Sequence, residues 1–310
     1  MEIIPLLLLV LVCCALLFGY PVAFTLSGIS ILFALICVPF GIFDPAIFKS
    51  IPLRIFGIMN NVTLLAVPLF IFMGTVLERS GVASKMLENM ALAFKNIRGG
   101  LSISIIVVGA LLAASTGIVG ATVVTMGLMS LPVLIQQGYK KDFSAGLVAS
   151  TGTLGQIIPP SIALVLLGDV MSNAYQRAQN NMGIFSQKTV TVGDLFVGAI
   201  IPGIMICFGY LIYTLYQNKK NLNIQFSPDA QSPSISEVLK TLALPLVLIV
   251  LVLGSIIAGI ATPTEASAIG AMGALIIAMI NRKFTLAFIK EASQKTAIVS
   301  TMIFTILIGA

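Results

Sequence analysis

The chain has 310 residues, 58% of them hydrophobic and 9% charged, with a formal net charge of +6 and no histidine. That composition excludes a soluble domain with a single anchor and leaves a polytopic, all-α membrane protein. It leaves no room for a membrane-embedded enzyme, since no histidine and no carboxylate pair lies inside an apolar run, and no Gly-Lys-Ser/Thr phosphate loop is present. In chain order, residues 3–18 have no positive region ahead of them and read as a retained first span. Gly19-Tyr20-Pro21 turns the chain into a second span at 22–40. Residues 44–60 carry Lys49 and Arg54 and suit the membrane interface; a third span follows at 62–77. From 78 to 98, Val82, Met86, Leu87 and Met90 recur near helical spacing among charged residues, which predicts an amphipathic surface arm.

Residues 101–139 contain no charge before Lys140 and Lys141. As one straight helix this run would be about 58 Å long, against a hydrocarbon layer of about 30 Å. It must fold back, and Ser115, Thr116, Gly117 and Gly120 interrupt its middle, so it reads as a re-entrant helical hairpin. Residues 143–170 form a discontinuous helix, broken at Thr151-Gly152-Thr153-Leu154-Gly155-Gln156 and at Pro159-Pro160. Irregular backbone at membrane depth is tolerated only where it is buried in protein or lines a cavity, so two adjacent breaks point to one binding site. Residues 172–194 read as an exposed loop with its own short helix, 195–217 as a span, and 218–238 as a hydrophilic cytoplasmic linker. Two more spans, 239–258 and 264–280, precede a second amphipathic arm at 284–295 and a further apolar run at 297–310. The four cysteines, Cys13, Cys14, Cys37 and Cys207, sit in apolar runs and read as buried, inert thiols.

With the N-terminus outside, 13 of the 17 Lys and Arg residues fall on the inner side, which favours a periplasmic N-terminus and a hairpin mouth on the cytoplasmic side. A weak repeat, offset by about 241 residues, relates Gly19 to Ala23 and the following elements to Gly259 to Ala266 and theirs. The assigned topology makes the two copies inverted. Residues 1–217 then form the first repeat, with scaffold helices at 1–77, and 239–310 begin a second. That second copy has no hairpin or broken helix before Ala310, so a C-terminally truncated chain is expected.

Three runs resemble the large membrane subunit of TRAP (tripartite ATP-independent periplasmic) transporters: Ala114-Ser115-Thr116-Gly117-Ile118-Val119-Gly120-Ala121-Thr122, Ala149-Ser150-Thr151-Gly152-Thr153-Leu154-Gly155-Gln156-Ile157-Ile158-Pro159-Pro160-Ser161, and Ala261-Thr262-Pro263-Thr264-Glu265-Ala266-Ser267-Ala268. The resemblance implies a sodium-coupled, elevator-type carrier of the ion-transporter superfamily in the bacterial inner membrane. It also implies two partners, a small membrane subunit and a periplasmic substrate-binding protein that delivers an organic acid. Where many members have a further Ser pair in the hairpin tip, this chain has Ile118 and Val119. The tip and Gly168-Asp169-Val170-Met171-Ser172 are similar to a branch described for mannitol or chloroaromatic compounds, whose binding proteins include 2-oxo acid binders. A stand-alone sodium/dicarboxylate carrier and a non-transporting fragment are the alternative readings.

The residues themselves suggest how such a site works. Sodium is a hard cation that wants several oxygens, which hydroxyls and unwound carbonyls supply without a formal charge. Ser115, Thr116, Gly117, Ser150, Thr151 and Gly152 are the candidate sodium ligands. A carboxylate substrate wants a helix N-terminus and hydroxyl donors, which makes Thr116, Thr153, Pro160 and Ser161 the candidate substrate contacts. No other metal, no organic cofactor and no nucleic-acid partner is expected; the positive charge belongs with the bilayer. Thr262-Pro263-Thr264-Glu265 has the order of a capping box, so Glu265 is assigned to structure, and Asp169 to a capping or solvated position.

Overall fold

A chain this apolar has to satisfy its backbone hydrogen bonds within each segment, and helices do so. The computed structural model describes residues 3–94, 97, 99–117, 119–184, 186, 188–221 and 235–310, and all regular structure among them is helical. In order these are α1 (Ile3–Leu16), α2 (Val22–Cys37), α3 (Ile51–Met59), α4 (Ala66–Arg79), α5 (Val82–Ala93), α6 (Gly100–Thr116) and α7 (Val119–Gln136). They are followed by α8 (Lys141–Thr153), α9 (Ile162–Asn181), α10 (Val192–Asn221), α11 (Ile235–Ile257), α12 (Pro263–Ile280) and α13 (Leu286–Gly309). Among the described residues, 5 helical segments are long and apolar enough to cross a membrane: Val62–Arg79, Val192–Asn218, Val238–Ile257, Pro263–Ile280 and Leu286–Gly309. Together with the shorter apolar helices they make an all-α, multi-pass membrane protein.

Contacts divide the chain into two compact units, which cut across the sequence repeats. One comprises Met1–Val62 and Ala297–Ala310. Its α1 and α2 are apolar on every side, as helices that face lipid are, with Leu6, Leu9, Phe24 and Ile36 exposed. Cys13 and Cys14 are exposed on α1 as well, contrary to the burial expected of them, because this helix has apolar residues all round and only part of it is covered. A β-carbon at Gly309 would stand 2.4 Å from the Ala23 carbonyl oxygen, so only glycine lets the end of α13 approach the start of α2 this closely.

The other unit, Thr63–Thr296, contains the hairpin. Here α4 lies along α12, where Gly270 makes room for Met73, whose sulfur would be 2.6 Å from a β-carbon at 270. Helix α11 packs on α12 and α5, α5 on α6, α8 on both α6 and α7, and α10 on α9 and α6. Met73, Leu77, Met86, Leu101, Ile105 and Met126 are fully buried among them. The feet of the α6–α7 hairpin are tied at one point. Asn218 Nδ2, near the end of α10, donates to Ser102 Oγ at 2.9 Å, and Ser102 Oγ donates to the Gly99 carbonyl at 2.8 Å. At the other foot Tyr139 is buried, which pushes its phenol up from the usual range, partly opposed by hydrogen bonding to Ser102.

Three boundaries differ from the sequence expectation. Helix α9 continues to Asn181, so 172–181 is helix rather than loop; Ala174, Gln176, Arg177 and Ala178 are good helix formers, and polarity alone does not end a helix. Gln179 ties the end of this helix to Lys188, donating from Nε2 to the Lys188 carbonyl at 2.8 Å and accepting from the Lys188 N–H at 2.9 Å. The segment 78–98 is not a single surface arm: α4 runs through Arg79, Gly81 at φ +76° breaks it, and α5 buries Val82, Ala83, Met86, Leu87 and Met90. Residues 284–310 form one continuous helix from Leu286, because no glycine or proline separates the amphipathic part from the apolar part. Of the predicted linker, 222–234 lie outside the described residues, as do Lys95, Asn96 and Arg98.

Local geometry recurs at the repeat spacing. Left-handed Gly19 (φ +80°) after α1 is matched by Gly259 (φ +68°) after α11, and Gly41 (φ +68°) by Arg282 (φ +55°). Asp44 accepts from the Ala46 N–H at 2.9 Å, as Thr285 accepts from the Phe288 N–H at 3.1 Å at the start of α13.

Candidate functional site

Between α6 and α7 the backbone turns at Gly117, whose φ of +59° disfavours any residue with a β-carbon. A β-carbon there would also press on Ile162 Cγ1 at 3.3 Å, so the hairpin tip rests against the first residue of α9. On the other side, α8 ends at Thr153, tightens into a 3₁₀ turn over Leu154–Gln156 and then loses helical geometry. Proline has no N–H to continue the ladder, and the chain bends through Pro159-Pro160, which are joined by a cis peptide bond, until Ser161 caps α9. Gln156 joins the two breaks directly: its Nε2 donates to the Gly117 carbonyl at 2.9 Å.

Glycines on both sides seat α8 in the hairpin. A β-carbon at Gly109 on α6 would lie 2.2 Å from Thr151 Cγ2, and one at Gly152 would lie 2.3 Å from Val123 Cγ2 and 3.0 Å from Val123 Cα on α7. The second approach is to backbone, which cannot step aside. Gly152 is therefore explained by packing, whatever its carbonyl does.

The hydroxyls of the break share one polarity. Ser150 Oγ donates to the Leu147 carbonyl at 3.1 Å, buried Thr151 Oγ1 donates to the same oxygen, and Thr153 Oγ1 donates to the Ser150 carbonyl at 2.7 Å. Ser161 Oγ donates to the Gln156 carbonyl at 2.8 Å and accepts from the Leu164 N–H at 3.4 Å. A hydroxyl whose proton is already held by a carbonyl presents lone pairs to its surroundings. That set suits a cation better than an anion. The anion-friendly feature is the start of α9, which has no acidic residue in its first turn.

Of the residues singled out from sequence, the structure brings Gly117, Thr151, Gly152, Pro160 and Ser161 into the packed region where tip and break meet, all of them buried. Ser150 is half-buried, whereas Thr153 is exposed and does not share that buried space. The side chains of Ser115 and Thr116, and residue Ile118, lie outside the described residues. Gln156, the residue that links the breaks, was read only as part of a motif; its signal was a long amide side chain inside an otherwise apolar or hydroxylic run. Asp169 accepts from Asn173 Nδ2 at 3.5 Å, one turn along α9. Glu265 completes a capping box, its Oε2 accepting from both the N–H and the Oγ1 of Thr262 at 2.8 Å.

Interrupted backbone held inside a bundle of membrane helices is a feature of membrane permeases. The chain belongs to the family described as tripartite ATP-independent periplasmic transporter, DctM component, whose model matches residues 8–310. It is 30% identical over 295 residues to the C4-dicarboxylate TRAP transporter large permease protein DctM of Rhodobacter capsulatus, covering 94% of this chain and 64% of that protein. With the protein of the same description from Vibrio cholerae it shares 33% identity over 273 residues, 88% of this chain and 55% of the relative. The sialic acid TRAP transporter large permease protein SiaM of Vibrio cholerae is 27% identical over 92% of this chain and 62% of its own length. The chain thus spans roughly half to two thirds of these relatives. The family is one of transport permeases, which is not an enzyme class.

Proposed function

We propose that this chain forms the large permease subunit of a sodium-coupled secondary transporter that imports a small organic acid, such as a 2-oxo acid, across the bacterial inner membrane. In this reading a periplasmic binding protein delivers the acid and a small membrane subunit accompanies the permease. The N-terminus is periplasmic, and inverted repeats support an elevator-type motion. The observation that carries the reading is the junction of the two breaks: the Gln156 bond to the Gly117 carbonyl, flanked by hydroxyls that present lone pairs and by a helix start with no carboxylate of its own. Lone pairs favour sodium; the uncompensated helix start favours the carboxylate. The turns that recur 240 and 241 residues apart support the repeat. Relatives described for dicarboxylates, sialic acid and ectoine support a carboxylate-bearing substrate without choosing one.

The test is uptake into vesicles carrying the complete permease, its small subunit and its binding protein, with pyruvate, succinate, sialic acid and ectoine supplied in turn. Replacing external sodium by potassium should abolish uptake of whichever acid is carried. Full uptake in potassium would remove sodium coupling, and uptake that needs no binding protein would favour a stand-alone carrier.

A further inference from the structure

Away from the two breaks, one carboxylate stands against the middle of the hairpin. Glu78, in the last turn of α4, divides its oxygens between two other helices. Thr125 Oγ1 of α7 donates to Oε1 at 2.6 Å, and Lys295 Nζ of α13 donates to Oε2 at 2.8 Å. The next residue, Arg79, pairs with Glu291, which lies one turn before Lys295 on α13. Adjacent charges on α4 thus meet opposite charges at i and i+4 on α13. A one-turn slip of α13 would set Glu291 against Glu78 or Lys295 against Arg79, so the pairing fixes the register. Thr125 is six residues beyond the start of α7, about 9 Å from the tip at 1.5 Å per residue.

We propose that Glu78 is a positioning residue for the hairpin: Lys295 keeps its carboxylate aimed, and Thr125 is the latch that releases when the hairpin moves. The proposal rests on the transporter reading for its purpose but not for its geometry. A hydroxyl bond to a carboxylate is short and charge-assisted, strong enough to define a state. Its release does not strand an unpaired charge, because Lys295 stays with the largely buried Glu78 carboxylate. Neither sequence nor family description singles out this contact. Val replaces Thr with nearly the same shape and no donor, whereas Ser keeps the donor.

Two measurements on the complete permease decide the matter. In amide hydrogen exchange, Thr125→Val should lower protection of the α7 segment around 125 on the order of tenfold, the loss expected for one bond to a charged acceptor, while Thr125→Ser keeps wild-type protection. In vesicles, Thr125→Val should raise turnover on a similar order and leave the half-saturation constant for the carried acid unchanged, with Glu78→Gln/Thr125→Val no different from Thr125→Val alone. Unchanged α7 protection in Thr125→Val overturns the latch. Lowered protection with unchanged or slower turnover overturns the positioning role and leaves a purely structural contact. If the wild-type permease carries none of the acids offered, the transport reading falls, and the exchange result alone judges the latch.

Discussion

Two helix starts in this molecule are built differently. At α12, Thr262 and Glu265 cap each other in full: the carboxylate accepts from the Thr262 N–H and hydroxyl, and Thr262 Oγ1 accepts from the Glu265 N–H at 3.3 Å. At α9, Ser161 makes a long bond to the Leu164 N–H and turns its own proton to the Gln156 carbonyl; Leu164 stands where a capping box would put its acid. The first start is exposed and self-sufficient, the second buried and left without a negative charge. A helix dipole that its own sequence does not neutralise is the one available to a ligand.

The sharpest way to break this contrast is to disturb the α8 break that leads into α9. Gly152→Leu should reduce uptake to background while the protein still inserts, since its side chain meets Val123 backbone at 3.0 Å and 3.1 Å. Normal uptake by an inserted Gly152→Leu protein would move the site away from this break. A second substitution converts one start into the other: Leu164→Glu gives α9 the acid that α12 has. If α9 receives the substrate carboxylate, the half-saturation constant should rise about tenfold, since a charge at a partly buried helix start is worth up to about 2 kcal/mol and tenfold corresponds to about 1.4 kcal/mol. An unchanged constant would exclude that helix start. The smallest effect belongs to α12: Thr262→Ala should cost about 1 kcal/mol of stability in denaturation and leave the uptake constants as they are. A change in those constants would mean that Thr262 does more than cap.

The same contrast explains what sequence could reveal. Gly117 and Pro159-Pro160 were legible as breaks because glycine and proline act on the backbone locally, wherever the chain goes next. Thr262-Pro263-Thr264-Glu265 was legible because a capping box closes within four residues. The continuous α13 was not, since Ser293-Gln294-Lys295-Thr296 looks like punctuation yet contains nothing that stops a helix. Nor was the bond from Gln156 to Gly117, 39 residues apart, or the grip of Glu78 on Thr125 and Lys295. Those depend on how helices stack, which periodicity does not encode. Hydroxyl polarity lies between the two: Ser and Thr in helices commonly bond back one turn, but which carbonyl each one takes is set by packing.

The tie between Asn218, Ser102 and Gly99 bears on how the hairpin deforms. The α6 foot is fixed to α10 at that buried point, while the tip meets the break through the Gln156 amide and the Gly117 contact with Ile162. Such a member is a cantilever, with its stiffness at the root and its largest displacement at the free end. Displacing the tip therefore costs one hydrogen bond and its seat on Ile162, and neither of these involves the tie at the root.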